Sequence, residues 1–172
     1  MPAPLRTQLA CWDPESAERV YSRELWFQRT TPRADVLAGP DAQWPQRCRA
    51  LAAQSLLAWR LETLADDVVL AGAELVTNAL CHGAGKITFR LARTRTDRGV
   101  LVAVADQSPA PVRPRRPEPG ELSGRGLQLI EALAHRWGVA PRRDGVGKWV
   151  WCYFQDLDPT WDVSPQHAGG AR

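Results

Sequence analysis

The sequence predicts an α+β fold: a two-layer sandwich in which about three helices cover one face of a mostly antiparallel, mixed sheet. Two observations lead to this prediction. Three segments carry apolar residues at helical spacing, and five short segments alternate or form unbroken apolar runs as strands do. Their order is strand, helix, helix, two strands, long loop, helix, two strands. The second face of the sheet is expected to be exposed or used for association.

Composition fits a single domain of ordinary size. The chain has 172 residues, of which 44% are hydrophobic, enough for a sizeable core. Its 22 basic and 19 acidic side chains give a net charge of +3. This surplus is too small to indicate nucleic-acid binding, and no basic recognition helix is visible.

Cysteine spacing and hydropathy bear on the cellular setting. The four cysteines are scattered, without a CxxC pair or a suitably placed histidine, so we expect free thiols rather than a metal site or disulfides. No segment has the length and apolar character of a signal peptide or a membrane span. A cytoplasmic protein without membrane contact is therefore expected.

We predict three parts along the chain. Residues 1–22 carry three prolines and no clear period, which indicates a loose arm, and residues 156–172 form a polar, flexible tail. Residues 23–155 form the folded domain between them. All the predicted helices and strands lie in this domain.

The first half of the domain contains a strand and two helices. Large apolar residues predict a strand over residues 23–31, and good helix formers after Pro45 predict a helix over residues 45–61. A second helix is predicted from about Leu64 to Cys81, where apolar residues recur at spacings of three and four. Two glycines, at 83 and 85, end it.

The second half is dominated by strands. "KITFRLA" (86–92) alternates as a half-buried strand does, and "GVLVAVAD" (99–106) has the unbroken apolar run of a central strand. A proline-rich loop follows, and a helix begins near Ser123. "WGVAPRR" and "KWVWCYF" are predicted to be the closing pair of strands.

Two polar residues interrupt the second helix. Glu74 and Asn78 are four residues apart, so their carboxylate and amide oxygens project side by side. Such a pair can hold Mg²⁺, which prefers oxygen ligands and bridges to phosphates, and the carboxylate can also act as a general base. Taken alone, the same spacing also describes an ordinary solvated helix face.

Two further motifs carry chemistry. "SGRG", residues 123–126, opens a helix whose first N–H groups are unpaired, and glycines there allow phosphate oxygens to approach the main chain. Asp106 ends a buried strand, where a carboxylate can accept a hydrogen bond from an exocyclic amine such as that of adenine. A plain loop-to-helix junction and a turn initiator are the corresponding simpler interpretations.

Taken in order, "ELVTNALCHG", "VAVADQSPAP", "GRGLQLIEALAHRWGV" and "GKWVW" resemble the N box, the two glycine boxes and the last strand of the Bergerat-fold ATP-binding proteins. This group includes gyrase, histidine kinases and mismatch-repair ATPases. The chain resembles in particular the stand-alone, anti-sigma-factor type of serine/threonine kinase and its actinobacterial relatives. The resemblance covers roughly residues 23–155 and implies ATP and Mg²⁺ as cofactors.

The resemblance implies roles for the polar residues. Asn78 is similar to the Mg²⁺-binding asparagine, and Glu74 to the acidic residue that assists phosphoryl transfer. Asp106 resembles the aspartate that contacts the adenine amine, and Ser108, in the adjoining box, is assigned to nucleotide binding with it.

The second glycine box implies a phosphate site. Gly124, Arg125, Gly126 and Leu127 are similar to the turn that accommodates the phosphates, and residues 108–123 would form a lid over the nucleotide.

The chain also departs from the family pattern. Ser108 and Ala110 stand at the positions of the usual glycines of the first box, and the prolines beside them stiffen the predicted lid. A threonine usually stands beside the adenine on the last strand, and Trp149 aligns with it. Its indole would either stack on the base or fill the site and weaken nucleotide binding.

Two functions follow from the resemblance. One is an ATP-dependent kinase that binds a sigma factor and phosphorylates an anti-anti-sigma partner, with no direct contact to nucleic acid. The other is a regulatory binding module with the same fold and little or no catalysis. Relatives of this type are often dimeric, so a homodimer is implied as well.

Overall fold

The structure is a computed structural model that describes residues 19–30, 37, 39–94, 97–112 and 126–157. Its elements, in chain order, are β1 (Arg19–Gln28), α1 (Gln43–Trp59), α2 (Ala65–His82), β2 (Lys86–Thr94), β3 (Gly99–Asp106), α3 (Gly126–Leu133), β4 (Arg136–Pro141) and β5 (Lys148–Gln155). Short 3₁₀ turns at Gly39–Ala42 and Glu62–Leu64 precede α1 and α2. The order of strands and helices agrees with the prediction.

The five strands form one sheet in the order β1-β2-β3-β5-β4. All four pairings between them are antiparallel, so the α+β prediction is confirmed, while the described sheet is antiparallel rather than mixed. β3 lies in the middle, and all eight of its residues are buried. This position explains its unbroken apolar run, because a central strand covered on both faces has no polar side.

The helices pack on one face of the sheet. α2 crosses it closely at Gly72, where a Cβ atom would lie 3.3 Å from Cε2 of Phe89 and 3.5 Å from Cγ1 of Val102. α1 packs on α2, and Phe27 of β1 stacks on Trp44 at 4.2 Å between ring centroids. The strand residues in this core are Phe27, Ile87, Phe89, Leu91, Val100, Val102, Val104, Cys152 and Phe154. They share one face because alternate strand residues point to the same side.

The opposite face, called the outer face below, carries a second apolar cluster. It comprises Ala92, Leu101, Ala103, Ala105, Trp149 and Trp151. Both tryptophans are 3% exposed or less, and Gly138 on β4 makes room for Trp151, since a Cβ atom at Gly138 would lie 2.8 Å from Cζ2 of the indole. Of the two expectations for this face, exposure is wrong for these six residues, which are buried within the single chain, and use in association stays a prediction.

The ends of the domain differ slightly from the prediction. β1 begins at Arg19, inside the segment predicted as an arm, because its pairing with β2 continues to Thr94. At the other end, Asp156 is buried and its Oδ2 accepts a hydrogen bond from Nη2 of Arg98 at 2.7 Å. The packed structure thus extends beyond residues 23–155 on both sides.

The thiols agree with the expectation for the described residues. Cys48 and Cys152 are free and buried, Cys81 is buried as well, and Cys11 lies outside the described residues. Burial raises the pKa of the Cys48 thiol to about 12, which suppresses the reactive thiolate form. Of the helices that the structure describes, none is long and apolar enough to cross a membrane.

Candidate nucleotide-binding site

Glu74 and Asn78 converge with the start of α3. Both lie on α2 and are half-buried. A Cβ atom at Gly126, the first residue of α3, would lie 2.7 Å from Oε2 of Glu74 and 3.2 Å from Nδ2 of Asn78. Any larger residue at position 126 would displace these side chains. The absence of a side chain at Gly126 therefore brings the carboxylate, the amide and the first turn of α3 together.

This arrangement fits Mg²⁺ bound together with phosphate. Among the described residues, no group of three or more His, Cys, Asp or Glu could hold a metal by itself. Glu74 and Asn78 instead supply two oxygen-bearing side chains, and Mg²⁺ commonly takes one or two protein ligands and completes its shell with water and phosphate. The first N–H groups of a helix have no partner within the helix, so those at the start of α3 suit the same phosphates.

The end of α2 is tied to the end of β3. Gly83, just after α2, packs so closely on Asp106 that a Cβ atom there would lie 2.9 Å from the Asp106 Cβ. The backbone N–H of Gln107 donates to the carbonyl of Ala84 at 2.8 Å, and its side-chain Oε1 accepts from the N–H of Lys86 at 3.1 Å. These contacts fix Asp106 relative to the helix that carries Asn78.

Arg29 strengthens this corner of the molecule. Its Nη1 donates to the carbonyl oxygens of Leu80 at 3.1 Å and Gly83 at 3.3 Å. A cation at a helix C-terminus satisfies the last carbonyls and interacts favourably with the helix dipole. His82, in the last turn of α2, is exposed.

Asp106 lies beyond Asn78 along the direction of α2. Five residues separate Asn78 from Gly83, which corresponds to about 8 Å along a helix axis. The polar side chains of the candidate site therefore lie in a row along α2. Glu74 and Asn78 are at one end of this row, and Asp106, beside Gly83, is at the other. The roles that the sequence motifs predict, phosphate contact at the first end and base contact at the second, stay predictions.

Asp106 is a buried carboxylate with specific partners. The N–H of Ser108 donates to its Oδ1 at 2.7 Å, and Oγ of Ser108 accepts from the N–H of Ala110 at 3.2 Å. Nζ of Lys148 lies 3.1 Å from both Asp106 oxygens and also donates to the carbonyl of Ser108 at 3.1 Å. The two successive turns lead the chain away from β3 and fix the orientation of the carboxylate.

A family comparison agrees with this geometry. The family model for the histidine kinase-like ATPase domain matches residues 41–154, a segment that contains α1 to α3, β2 to β4 and nearly all of β5. The chain belongs to the histidine kinase-like ATPase domain family. Membership implies ATP binding, typically with Mg²⁺. A comparison with curated proteins finds no match.

Trp149 is the predicted site residue that the structure separates from the others. In the register of β3 and β5, Asp106 lies opposite Lys148 and Ala105 lies opposite Trp149. Trp149 therefore belongs to the outer face, where Cζ of Arg90 lies 4.8 Å from the centroid of the indole. The interpretation of this ring as a neighbour of the base is corrected, because side chains next to each other in a strand point to opposite faces.

Lys148 is a residue of this candidate site that the sequence motifs missed. A lysine after a glycine turn ordinarily indicates a solvated strand end. Its partner is visible only in the register of the sheet, which joins residues that are 42 positions apart.

The second glycine box is only partly described. Ser123, Gly124 and Arg125 lie outside the described residues, as do residues 113–122 of the predicted lid. Gly126 lies against Glu74 and Asn78, and the half-buried side chain of Leu127 packs on the helix-side core. Ser108 is buried and its N–H donates to Asp106, while its assignment to nucleotide binding stays a prediction.

Proposed function

We propose that this ATPase-domain protein is an ATP-dependent serine/threonine kinase of the anti-sigma-factor type. It binds a sigma factor and phosphorylates an anti-anti-sigma-factor-like protein. The convergence of Glu74 and Asn78 on Gly126 carries the proposal, because it joins a potential general base, a metal ligand and a phosphate-binding helix start. The resemblance of the motifs to that class of kinase supports the choice of partners.

Each residue has a distinct part in the proposed reaction. The amide oxygen of Asn78 would hold Mg²⁺, N–H groups at the start of α3 would receive phosphate oxygens, and Asp106 would accept a hydrogen bond from the adenine amine. Glu74 takes the proton of the serine or threonine hydroxyl while the hydroxyl oxygen bonds to the γ-phosphorus. The bond between that phosphorus and the β–γ bridging oxygen breaks, and ADP leaves.

The chain contributes chiefly position and charge to this transfer. Bound Mg²⁺ neutralises charge on the phosphates, so the protein has to align the hydroxyl and stabilise the charge distribution of the transferred group. The position of Glu74 supports this role, because its Oε2 lies beside the helix start at which the phosphates are proposed to bind, 2.7 Å from where a Cβ atom at Gly126 would be.

The direct test is phosphotransfer from labelled ATP to candidate partners. We expect Glu74→Gln to lower the transfer rate by about 10²–10⁴-fold, the usual contribution of a general base. Melting temperature with and without Mg-ATP is measured in parallel, because a ligand that binds only the native state raises its stability. Glu62→Gln is the matched control, since Glu62 is exposed on the turn before α2.

The outcomes separate the two candidate functions. Full transfer by Glu74→Gln would contradict the role of this carboxylate. Stabilisation by Mg-ATP without transfer to any partner would favour a regulatory binding module. Trp149 does not support the regulatory-module function, because it lies on the outer face and does not obstruct the helix-side site.

A further inference from the structure

Lys148 is anchored at the base end of the site. It is the first residue of β5 and faces the last residue of β3 in the sheet register. Its ammonium lies 3.1 Å from both carboxylate oxygens of Asp106 and 3.1 Å from the carbonyl oxygen of Ser108. The side chains of Lys148 and Asp106 are 14% and 5% exposed, so the ion pair is largely screened from water.

The two oxygens of Asp106 differ in how many donors they already have. Oδ1 accepts from the N–H of Ser108 at 2.7 Å and from Lys148. Within the part of the chain that the structure describes, Lys148 alone contacts Oδ2. Because a carboxylate oxygen can accept two hydrogen bonds, Oδ2 has room for one more donor and Oδ1 does not. Asp106 can therefore accept one N–H group from a base.

An ammonium beside this oxygen adds a donor to the same site. A lysine ammonium has three N–H donors on a flexible stem. Two of the three contacts of the Lys148 ammonium go to the carboxylate of Asp106. When a base supplies a donor to Oδ2, one ammonium N–H can turn to an acceptor next to that donor. The pair then presents one acceptor and one donor side by side.

The geometry points to Lys148 as a second base-contacting residue. We propose that it donates to ring nitrogen N1 of adenine while Asp106 accepts from the exocyclic amine, so that the two residues together select adenine. Guanine presents an N–H at N1 and an additional 2-amine, and with Oδ1 already filled, this amine would stay unpaired. A site that leaves a buried polar group unpaired rejects that ligand. The inference rests on the proposed ATP binding.

The experiment compares nucleotides that differ at one ring atom. Isothermal titration calorimetry measures the affinity of the full chain for ATP, for 1-deaza-ATP, which lacks the N1 acceptor, and for 7-deaza-ATP as the matched control. We expect the unmodified chain to bind 1-deaza-ATP about tenfold more weakly than ATP, the effect of losing one charge-assisted hydrogen bond. It should bind 7-deaza-ATP within about twofold of ATP, and GTP at least about tenfold more weakly.

The variant Lys148→Met completes the comparison. It should bind ATP more weakly and no longer distinguish ATP from 1-deaza-ATP. Lys86→Met is the control, since Lys86 is exposed and its Nζ lies over the Trp26 ring at 4.6 Å, away from Asp106. This control should keep the full discrimination between the two nucleotides.

Several results would overturn the inference. Equal affinity of the unmodified chain for ATP and 1-deaza-ATP would show that Lys148 only pairs with Asp106, and this measurement needs no variant. Tighter ATP binding by Lys148→Met would show that the ammonium competes with the base. In either case ATP binding itself is intact, and the proposed function stands. No binding of ATP by the unmodified chain would overturn both.

Discussion

The two faces of the sheet carry different chemistry at the end where β3 stops and β5 begins. On the helix side, Asp106 and Lys148 form an ion pair with Ser108 beside it. On the outer face, the next residues along the strands, Ala105 and Trp149, belong to an apolar cluster. One position along a strand therefore separates a polar site from a packing surface. The difference teaches that proximity in sequence to a site motif does not place a side chain in the site.

The two faces are expected to respond differently to mutation. Substitutions on the outer face should change the free energy of unfolding and leave nucleotide affinity unchanged. Substitutions at Asp106 should change nucleotide affinity more than stability. Each prediction below tests one side of this contrast.

The largest effect is expected from Trp151→Ala on the outer face. Trp151 is 2% exposed and fits against Gly138, so removing the indole leaves a cavity that the backbone of β4 cannot readily fill. We expect the free energy of unfolding to fall by about 3–5 kcal/mol, as measured by urea denaturation. ATP affinity, measured at a temperature where the variant is folded, should stay within about twofold of the unmodified chain. A large loss of ATP affinity in the folded variant would contradict the expectation that the outer face affects stability alone.

Asp106→Asn tests the helix side. The change keeps the size of the side chain and removes the charge that pairs with Lys148, and with it the strongest acceptor at the base end. We expect ATP affinity to fall about 10–100-fold in calorimetry, in line with the loss of a hydrogen bond to a charged group.

The control for this variant is Asp144→Asn. Asp144 pairs with Arg142 at 2.7 Å on the exposed turn between β4 and β5. The Asp144→Asn variant should change neither ATP affinity nor stability appreciably, because exposed ion pairs contribute little to the free energy of unfolding. Unchanged affinity in Asp106→Asn would remove Asp106 from the base site.

The sequence was most informative where its pattern was unambiguous. β3 coincides with the predicted residues 99–106, and α2 at Ala65–His82 is shifted by one residue from its prediction. A seven-residue apolar run between polar segments is typical of a buried strand, and the recurring apolar stripe of α2 is typical of a helix packed on one side. The spacing of Glu74 and Asn78 likewise predicted that their side chains lie together, and Gly126 contacts both.

β5 shows why the remainder could not be predicted. In "KWVWCYF" large apolar residues occupy both alternating sets of positions, so no polar–apolar contrast indicates which set faces the helices. The alignment of Trp149 with the family threonine therefore assigned to the nucleotide site a set of side chains that in fact faces outward. Lys148 was missed for a related reason: its contact with Asp106 depends on the register between β3 and β5, which no local pattern encodes.

The smallest effect is expected from Trp149→Phe, which tests the face assignment most directly. Phenylalanine keeps an aromatic ring under Arg90 and loses part of the buried surface, so stability should fall by about 1–2 kcal/mol. ATP affinity should change by less than about twofold in calorimetry. An indole stacked on the base would give weaker binding in the variant, whereas an indole that fills the site would give tighter binding. Either shift would place the nucleotide against the outer face and contradict the helix-side site, because the side chain of Trp149 cannot reach Asp106 through the strand that separates them.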